Sequence, residues 1–255
     1  MIDLKTPEEI ALMQKGGKIL HGILLKLLDA AKPGVKLQDL DKLAEKLILE
    51  SGGKPSFKMV KGYKWSICAC INDVVVHGIP NEYILKDGDV LGLDCGVFMD
   101  GFHTDHAWTK KIKNQKSKIK NEDEIDRFLS VGEEALRKAI NQTKPGNFIY
   151  DISKAIQDTI EGAGYSIVRS LVGHGVGRNL HEAPEVPGFA QGKRESSPKI
   201  IPGMVLAIEI IYNLGSPDIV YKEDDGWTIS SEDGKISGLF EVTVGVSSHG
   251  SIVLT

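Results

Sequence analysis

Val90-Leu91-Gly92-Leu93-Asp94-Cys95-Gly96-Val97-Phe98-Met99-Asp100-Gly101-Phe102-His103-Thr104-Asp105-His106-Ala107 is the stretch that decides the fold. Asp100-Gly101 between two apolar runs is a two-residue hairpin signal, because both residues tolerate the positive φ that such a turn demands. The turn pairs Met99 with Phe102 and, counting outward, Asp94 with Ala107. Asp105 then stands two residues from the position opposite Asp94, on the same face of the hairpin. Diagonal neighbours of this kind lie about 7–8 Å apart, near enough for two carboxylates to converge. Like charges on one sheet face are destabilising, and a buried carboxylate must be paired, protonated or bound to a metal. The hairpin therefore predicts half of a cation site from turn chemistry and strand parity.

A second acid lies in the same setting further along. Gly88-Asp89-Val90-Leu91-Gly92-Leu93-Asp94 aligns with Gly203-Met204-Val205-Leu206-Ala207-Ile208-Glu209, offset by 115 positions. Upstream, Lys32-Pro33-Gly34-Val35-Lys36-Leu37-Gln38-Asp39-Leu40 is echoed 112 positions later by Lys144-Pro145-Gly146-Asn147-Phe148-Ile149-Tyr150-Asp151-Ile152. In each copy a long amphipathic helix, over 6–31 and 122–142, stops at Lys-Pro-Gly and a second helix begins near the Asp. The chain thus reads as two α+β half-repeats, about 1–110 and 121–255, in a single domain spanning 1–255. Facing each other across a pseudo-twofold axis, they bring Asp94 and Glu209 together. Coincidence is the competing explanation, since Lys-Pro-Gly is a common helix stop, but the matched order of elements and acids weakens it. The lysine-rich run 110–120 between the halves reads as a solvated connection; a transient ribosome contact is its lesser reading.

Bulk composition narrows the class. A length of 255 residues, 41% hydrophobic and 26% charged, suits a water-soluble globular domain with an ample core. A net charge of −4 gives no reason to expect DNA or a membrane as partner. The opening residues carry no basic segment followed by an apolar run, and no apolar stretch approaches the roughly 20 residues of a membrane helix. Cys68, Cys70 and Cys95 cannot all pair within one chain and read as reduced, buried thiols, so a cytoplasmic location is expected. No exposed heptads are evident, and a monomer is expected.

Glu241 and His174 complete the unusual set. Gly173-His174-Gly175-Val176-Gly177 is too glycine-rich for a helix and misplaces the third glycine of a dinucleotide fingerprint. A backbone without side chains there lets an imidazole approach a crowded centre. Alone, His174 reads as a hydrogen-bonded structural histidine; beside Asp94, Asp105, Glu209 and Glu241 it reads as a ligand. Four carboxylates balance two divalent cations, which points to a two-metal hydrolase.

The ordered motifs resemble type I methionine aminopeptidases, which have the pita-bread fold. The resemblance runs over almost the whole chain: Val76-His77-Gly78-Ile79-Pro80, Asp94, Asp100-Gly101-Phe102-His103-Thr104-Asp105, Gly173-His174-Gly175-Val176-Gly177-Arg178-Asn179-Leu180-His181-Glu182-Ala183-Pro184, Gly203 through Glu209, Gly226-Trp227-Thr228 and Phe240-Glu241-Val242-Thr243. It implies two pseudo-twofold-related halves around a central curved, mainly antiparallel sheet with helices on its outer face. It implies that Asp94 and Asp105 bind one ion, that Asp105, His174 and Glu209 bind the other, and that Glu241 bridges both. Cobalt, manganese, iron and zinc all suit such ligands. The activity implied is removal of the N-terminal methionine from nascent polypeptides with a small second residue, by a hydroxide bridging the two ions. One ion binds the substrate's α-amine, Glu209 is ligand and general base, His181 donates toward the scissile carbonyl, and His77 positions the leaving portion. Phe57, Tyr63, Cys68, His77, Leu180 and Trp227 match the methionine pocket, although ordinary packing also explains Phe57, Leu180 and Trp227.

Three positions depart from the family pattern. Ile210 follows Glu209 where proline is usual, Val242 follows Glu241 where histidine is usual, and His106 follows Asp105 where the residue is usually small or hydroxylated. Val242 is expected to cost a polar contact near Glu241, and His106 to point to the face opposite Asp105. Val60, Lys61 and Phe57 are further expected in the pocket. Rival readings are an Xaa-Pro aminopeptidase or prolidase of the same fold, a non-catalytic binding protein, and a metal-free structural protein. The first usually carries an additional N-terminal domain, the second loses ligands, and the third lacks the Lys and Arg needed to neutralise four acids.

Overall fold

Thr6 sets the start of the first helix. Its hydroxyl accepts from the Glu9 amide at 3.2 Å while the Glu9 carboxylate accepts from the Thr6 amide at 2.9 Å, a reciprocal cap. The computed structural model describes residues 2–113, 124–221 and 224–255; most of the lysine-rich connection and the first two residues of the helix expected at 122–142 lie outside them. The first half contains α1 (Pro7–Ala30), α2 (Leu37–Glu50), β1 (Lys54–Pro55), β2 (Ile67–Ile71), β3 (Val74–Val76), β4 (Val90–Met99) and β5 (Phe102–Lys111). The second contains α3 (Glu124–Gln142), α4 (Ile149–Ile160), β6 (Ser166–Ile167), β7 (Val172–Gly175), β8 (Glu182–Pro187), β9 (Val205–Asn213), β10 (Ile219–Tyr221), β11 (Ile229–Ser231), β12 (Ser237–Ser247) and β13 (Gly250–Val253).

The two Lys-Pro-Gly turns share one backbone conformation. Gly34 and Gly146 both adopt left-handed φ, 94° and 95°, where each Lys-Pro-Gly turns the chain from the first helix into the second. Asp100 and Gly101 have φ of 52° and 91°, and the register Met99↔Phe102 and Asp94↔Ala107 follows as the turn dictates.

The main sheet runs β1-β4-β5-β12-β9-β7-β8, with β2 on β4, β6 on β9 and β13 on β12, and its pairings among the described residues are antiparallel. β4-β5 of one half meets β12-β9 of the other, so the two acid-bearing strands β4 and β9 are equivalent about the centre. A second sheet, β10-β11-β3, packs Val75, Val76 and Ile229 against Ala107, Ile211 and Leu239 of the first. This is the α+β, two-halved pita-bread architecture.

Side-chain parity divides the sheet into two faces. Leu91, Leu93, Cys95 and Val97 of β4 pack under α1 and α2 against Leu20, Leu24, Leu27 and Leu40. Leu206, Ile208 and Ile210 of β9 and Phe240 and Val242 of β12 pack under α3 and α4 against Phe128, Leu136 and Ile152. Each residue between these positions points to the other face, which the first turns of α1 reach at the Val205–Ala207 end through Ile10 and Met13. Ile210 is one of the helix-side residues and is fully buried, which explains why an aliphatic side chain serves there.

Candidate active site

Strand parity places Asp94, Asp105, Glu209 and Glu241 together on the face opposite the helix-packed cores. Glu241 of β12 lies directly opposite Glu209 of β9 and opposite Ala107 of β5, while Ala107 faces Asp94. β7 brings His174 opposite Ala207 on the far side of β9. One ligand atom each from Asp105, His174 and Glu241 lies within 4.8 Å of the others. The glycines flanking His174 have a reason the sequence did not disclose. A Cβ at Gly173 would meet the Ala207 carbonyl oxygen at 2.6 Å, and one at Gly175 the Ala183 oxygen at 2.5 Å. They are required by the neighbouring strands, not by the imidazole.

The electrostatics of the cluster call for cations. Asp94, Asp105 and Glu241 are buried, and Asp94 Oδ1 and Glu241 Oε1 are among the buried polar atoms with no hydrogen-bond partner. Orphaned buried carboxylate oxygens are costly, and a divalent ion is the partner that satisfies several at once. Burial pushes the Asp105 carboxyl up to about 7 and Glu209 up to about 8, the Asp105 charge adding to the latter. Burial and then the neighbouring carboxylates drive Asp94 and Glu241 well above the usual range. His174 is pushed down to about 4 by burial and then by His181, so its imidazole is neutral at neutral pH. Its Nδ1 donates to the Gly175 carbonyl at 2.8 Å, which leaves the Nε2 lone pair for the cluster, 4.0 Å from Glu241 Oε1. Oxygen-rich sites with an imidazole fit manganese, iron, cobalt or zinc.

The five candidate ligands, His77, His181, Phe57, Tyr63, Cys68, Leu180 and Trp227 line one cavity of about 630 Å³. Phe57, Tyr63, Cys68 and Leu180 form an apolar cluster with Cys70, joined by Val60 and Trp227. Tyr63 and Trp227 meet edge to face at 5.1 Å, and the Tyr63 hydroxyl donates to the Ile67 carbonyl at 2.9 Å. Trp227 is held by a turn in which the Asp225 carboxylate accepts from the Trp227 and Thr228 amides at 2.7 and 2.8 Å. His77 sits in left-handed backbone at φ 56°, with Trp227 edge-on at 6.5 Å. The His181 ring lies 4.4 Å from that of His174. Desolvation, with His181 adding to it, holds His77 below the ordinary imidazole value, and desolvation does the same for the more exposed His181.

Two expectations need correction. Lys61 is exposed and does not line the cavity, since the turn at 61–62 turns its ammonium to water. Val242 does not leave the Glu241 region without a polar contact, because His106 lies directly across from it in β5. His106 points to the helix side, as alternation predicts, and its Nδ1 donates to the Glu241 carbonyl at 2.6 Å. A carbonyl only accepts, so Nδ1 carries the proton and Nε2 accepts from His21 Nδ1 at 3.1 Å. Sequence reading also missed Ser170, Leu171, Val172, Glu182 and Glu185 on the cavity wall. Only their nearness to His174 and His181 hinted at this.

The profile of metallopeptidase family M24 matches residues 11–247. The methionine aminopeptidase of Clostridium perfringens is 43% identical over 255 residues, covering 100% of this chain and 99% of the relative. The crystal structure of a methionine aminopeptidase from Thermotoga maritima superposes with a TM-score of 0.92 at 35% identity, covering 100% and 99% of the two chains. A prolidase from Pyrococcus furiosus reaches a TM-score of 0.76 at 20% identity over 65% of its own length, a likeness of fold alone.

Proposed function

The chain belongs to metallopeptidase family M24, among its methionine aminopeptidases, and on that premise we propose that it removes the N-terminal methionine from peptides and nascent proteins whose second residue is small. It is a metal-dependent hydrolase. The observation that carries the reading is that the five candidate ligands, both site histidines and the apolar cluster share one cavity.

In this reading Asp94 and Asp105 would hold one divalent cation, Asp105, His174 and Glu209 would hold a second, and Glu241 would serve both. Divalent cations held by these residues would supply Lewis acidity, lowering the pKa of a coordinated water and polarising the scissile carbonyl. Glu209 would accept the proton of the attacking water on its carboxylate and return it to the departing amine. His181, neutral and beside His174, donates toward the carbonyl oxygen as negative charge develops there. His77 orients the leaving portion of the peptide. The Phe57, Tyr63, Cys68, Leu180 and Trp227 wall takes the unbranched thioether and excludes water. The three cysteines are free and buried, which supports action in a reducing cytoplasm; we place the protein there as a monomer.

The test uses protein stripped of metal and reconstituted with manganese, cobalt, iron or zinc, on Met-Ala-Ser beside Ala-Pro-Ala. Release of methionine from the first peptide alone is expected. Cleavage before proline alone would move the chain to the prolidase-like reading. A companion prediction concerns His106, which steadies the backbone of Glu241. His106→Ala is expected to weaken metal binding about tenfold or more by calorimetric titration. Parent-like affinity would leave the His21–His106 pair a packing feature only.

A further inference from the structure

Lys5 is buried, with 1% of its side chain exposed, an expensive place for an ammonium without a partner. Its buried partner is Glu182, itself 7% exposed at the side chain, whose Oε2 accepts from Lys5 Nζ; the exposed Asp3 carboxylate lies at 3.5 Å. Lys5 Nζ also donates to the Asp3 carbonyl at 2.9 Å, and the Lys5 amide donates to the Gly203 carbonyl at 2.7 Å, which anchors this segment to the residues leading into β9. Glu182 immediately follows His181 and lines the same cavity. Its Oε1 accepts from the Asn179 amide at 2.9 Å, closing the loop that presents His181.

The rest of that loop is built around the lysine. A Cβ at Gly177 would meet Lys5 Cε at 2.2 Å, so glycine there makes room for the side chain. The Gly177 carbonyl accepts from the His103 amide at 2.7 Å. Arg178 donates to Asp3 at 2.9 Å and to Glu9, and lies over the Phe102 ring at 5.2 Å. Residues 3–9 thus form a strap across the 177–182 loop, and Lys5–Glu182 is its buried tie.

Resting on the peptidase reading above, the geometry points to Lys5 as a positioning residue for His181, acting through Glu182 to hold the imidazole in its donating place. Lys5 touches neither substrate nor candidate ligand; its effect runs through the loop. Misplacement of a catalytic group by about 1 Å from a distant change can cost on the order of a hundredfold in rate.

The test is a double-mutant cycle on the metal-loaded full chain with Lys5→Met, Glu182→Gln and the pair. Methionine keeps the unbranched length of lysine without its charge. Lys5→Met is expected to lower kcat for methionine release about tenfold to a hundredfold, with KM held within about twofold. The pair removes the unpaired buried carboxylate, so it regains the Tm that Lys5→Met loses, yet its kcat falls no further than that of Lys5→Met. Full recovery of kcat in the pair, or additive losses, would overturn the proposal, since charge compensation or independent action would then suffice. Amide exchange on the metal-free chain gives a second readout. Faster exchange confined to residues 177–182 in Lys5→Met and in the pair upholds the strap, and unchanged exchange overturns it. Should the parent release no methionine, the peptidase reading fails by itself and exchange alone decides the strap.

Discussion

Glu209→Gln is expected to lower kcat for methionine release by about a thousandfold or more, within or above the range attributed to general acid–base catalysis. The substitution keeps the shape of the side chain but removes both its negative charge and its ability to accept and return a proton. Because Glu209 is also a candidate ligand, the loss of charge adds weaker cation binding to the loss of proton transfer. The metal-free variant is expected to be at least as stable as the parent above neutral pH, because Gln has no charge to desolvate where burial and Asp105 hold the Glu209 carboxyl up at about 8. Steady-state kinetics with a metal assay on the same samples separate the two contributions. Activity within about tenfold of the parent would remove Glu209 from the proposed proton path.

Metal removal is expected to reverse the usual pH dependence of the fold. Without cations, burial holds Asp105 up at about 7 and Glu209 up at about 8, whereas the unfolded chain loses these protons at ordinary carboxyl values near pH 4. Between those limits the native state binds more protons than the unfolded state. The stability that these groups contribute is therefore fully present below about pH 4 and is lost as pH rises through about 7 to 8. Bound cations need the same carboxylates ionised, so their stabilising effect grows with pH. Calorimetric scans are expected to show the gap in Tm between metal-loaded and stripped protein widening by about 5 °C or more from about pH 5.5 to about pH 8. A gap that stays constant or narrows would mean that the carboxylates do not release protons to metal.

Much of this site could be read before any coordinates because it rests on local rules. Asp100-Gly101 sets a register, the register sets parity, and parity puts Asp94 and Asp105 on one face. The same alternation in β9 and β12 carries Glu209 and Glu241 to that face. The helix pairs followed from apolar periodicity and the repeated Lys-Pro-Gly, with left-handed glycines at both stops. Contacts between residues far apart in sequence were not legible in this way. Nothing in the periodicity around Lys5 or Glu182 announces that they meet, and no local rule pairs β7 with β9 or seats Ser170–Val172 on the cavity wall. The polar contact near Glu241 was misjudged for the same reason. Reading Val242 alone predicts a lost contact, whereas the imidazole comes from His106 on the strand beside it.

The central claim is that Asp94, Asp105, His174, Glu209 and Glu241 together hold two divalent cations. Crystals of the manganese-loaded protein, measured for anomalous scattering, address it directly. The expected result is two anomalous peaks, each bonded to the side chains assigned to it, with Glu241 contacting both. A single peak, or none among these five residues, would contradict it.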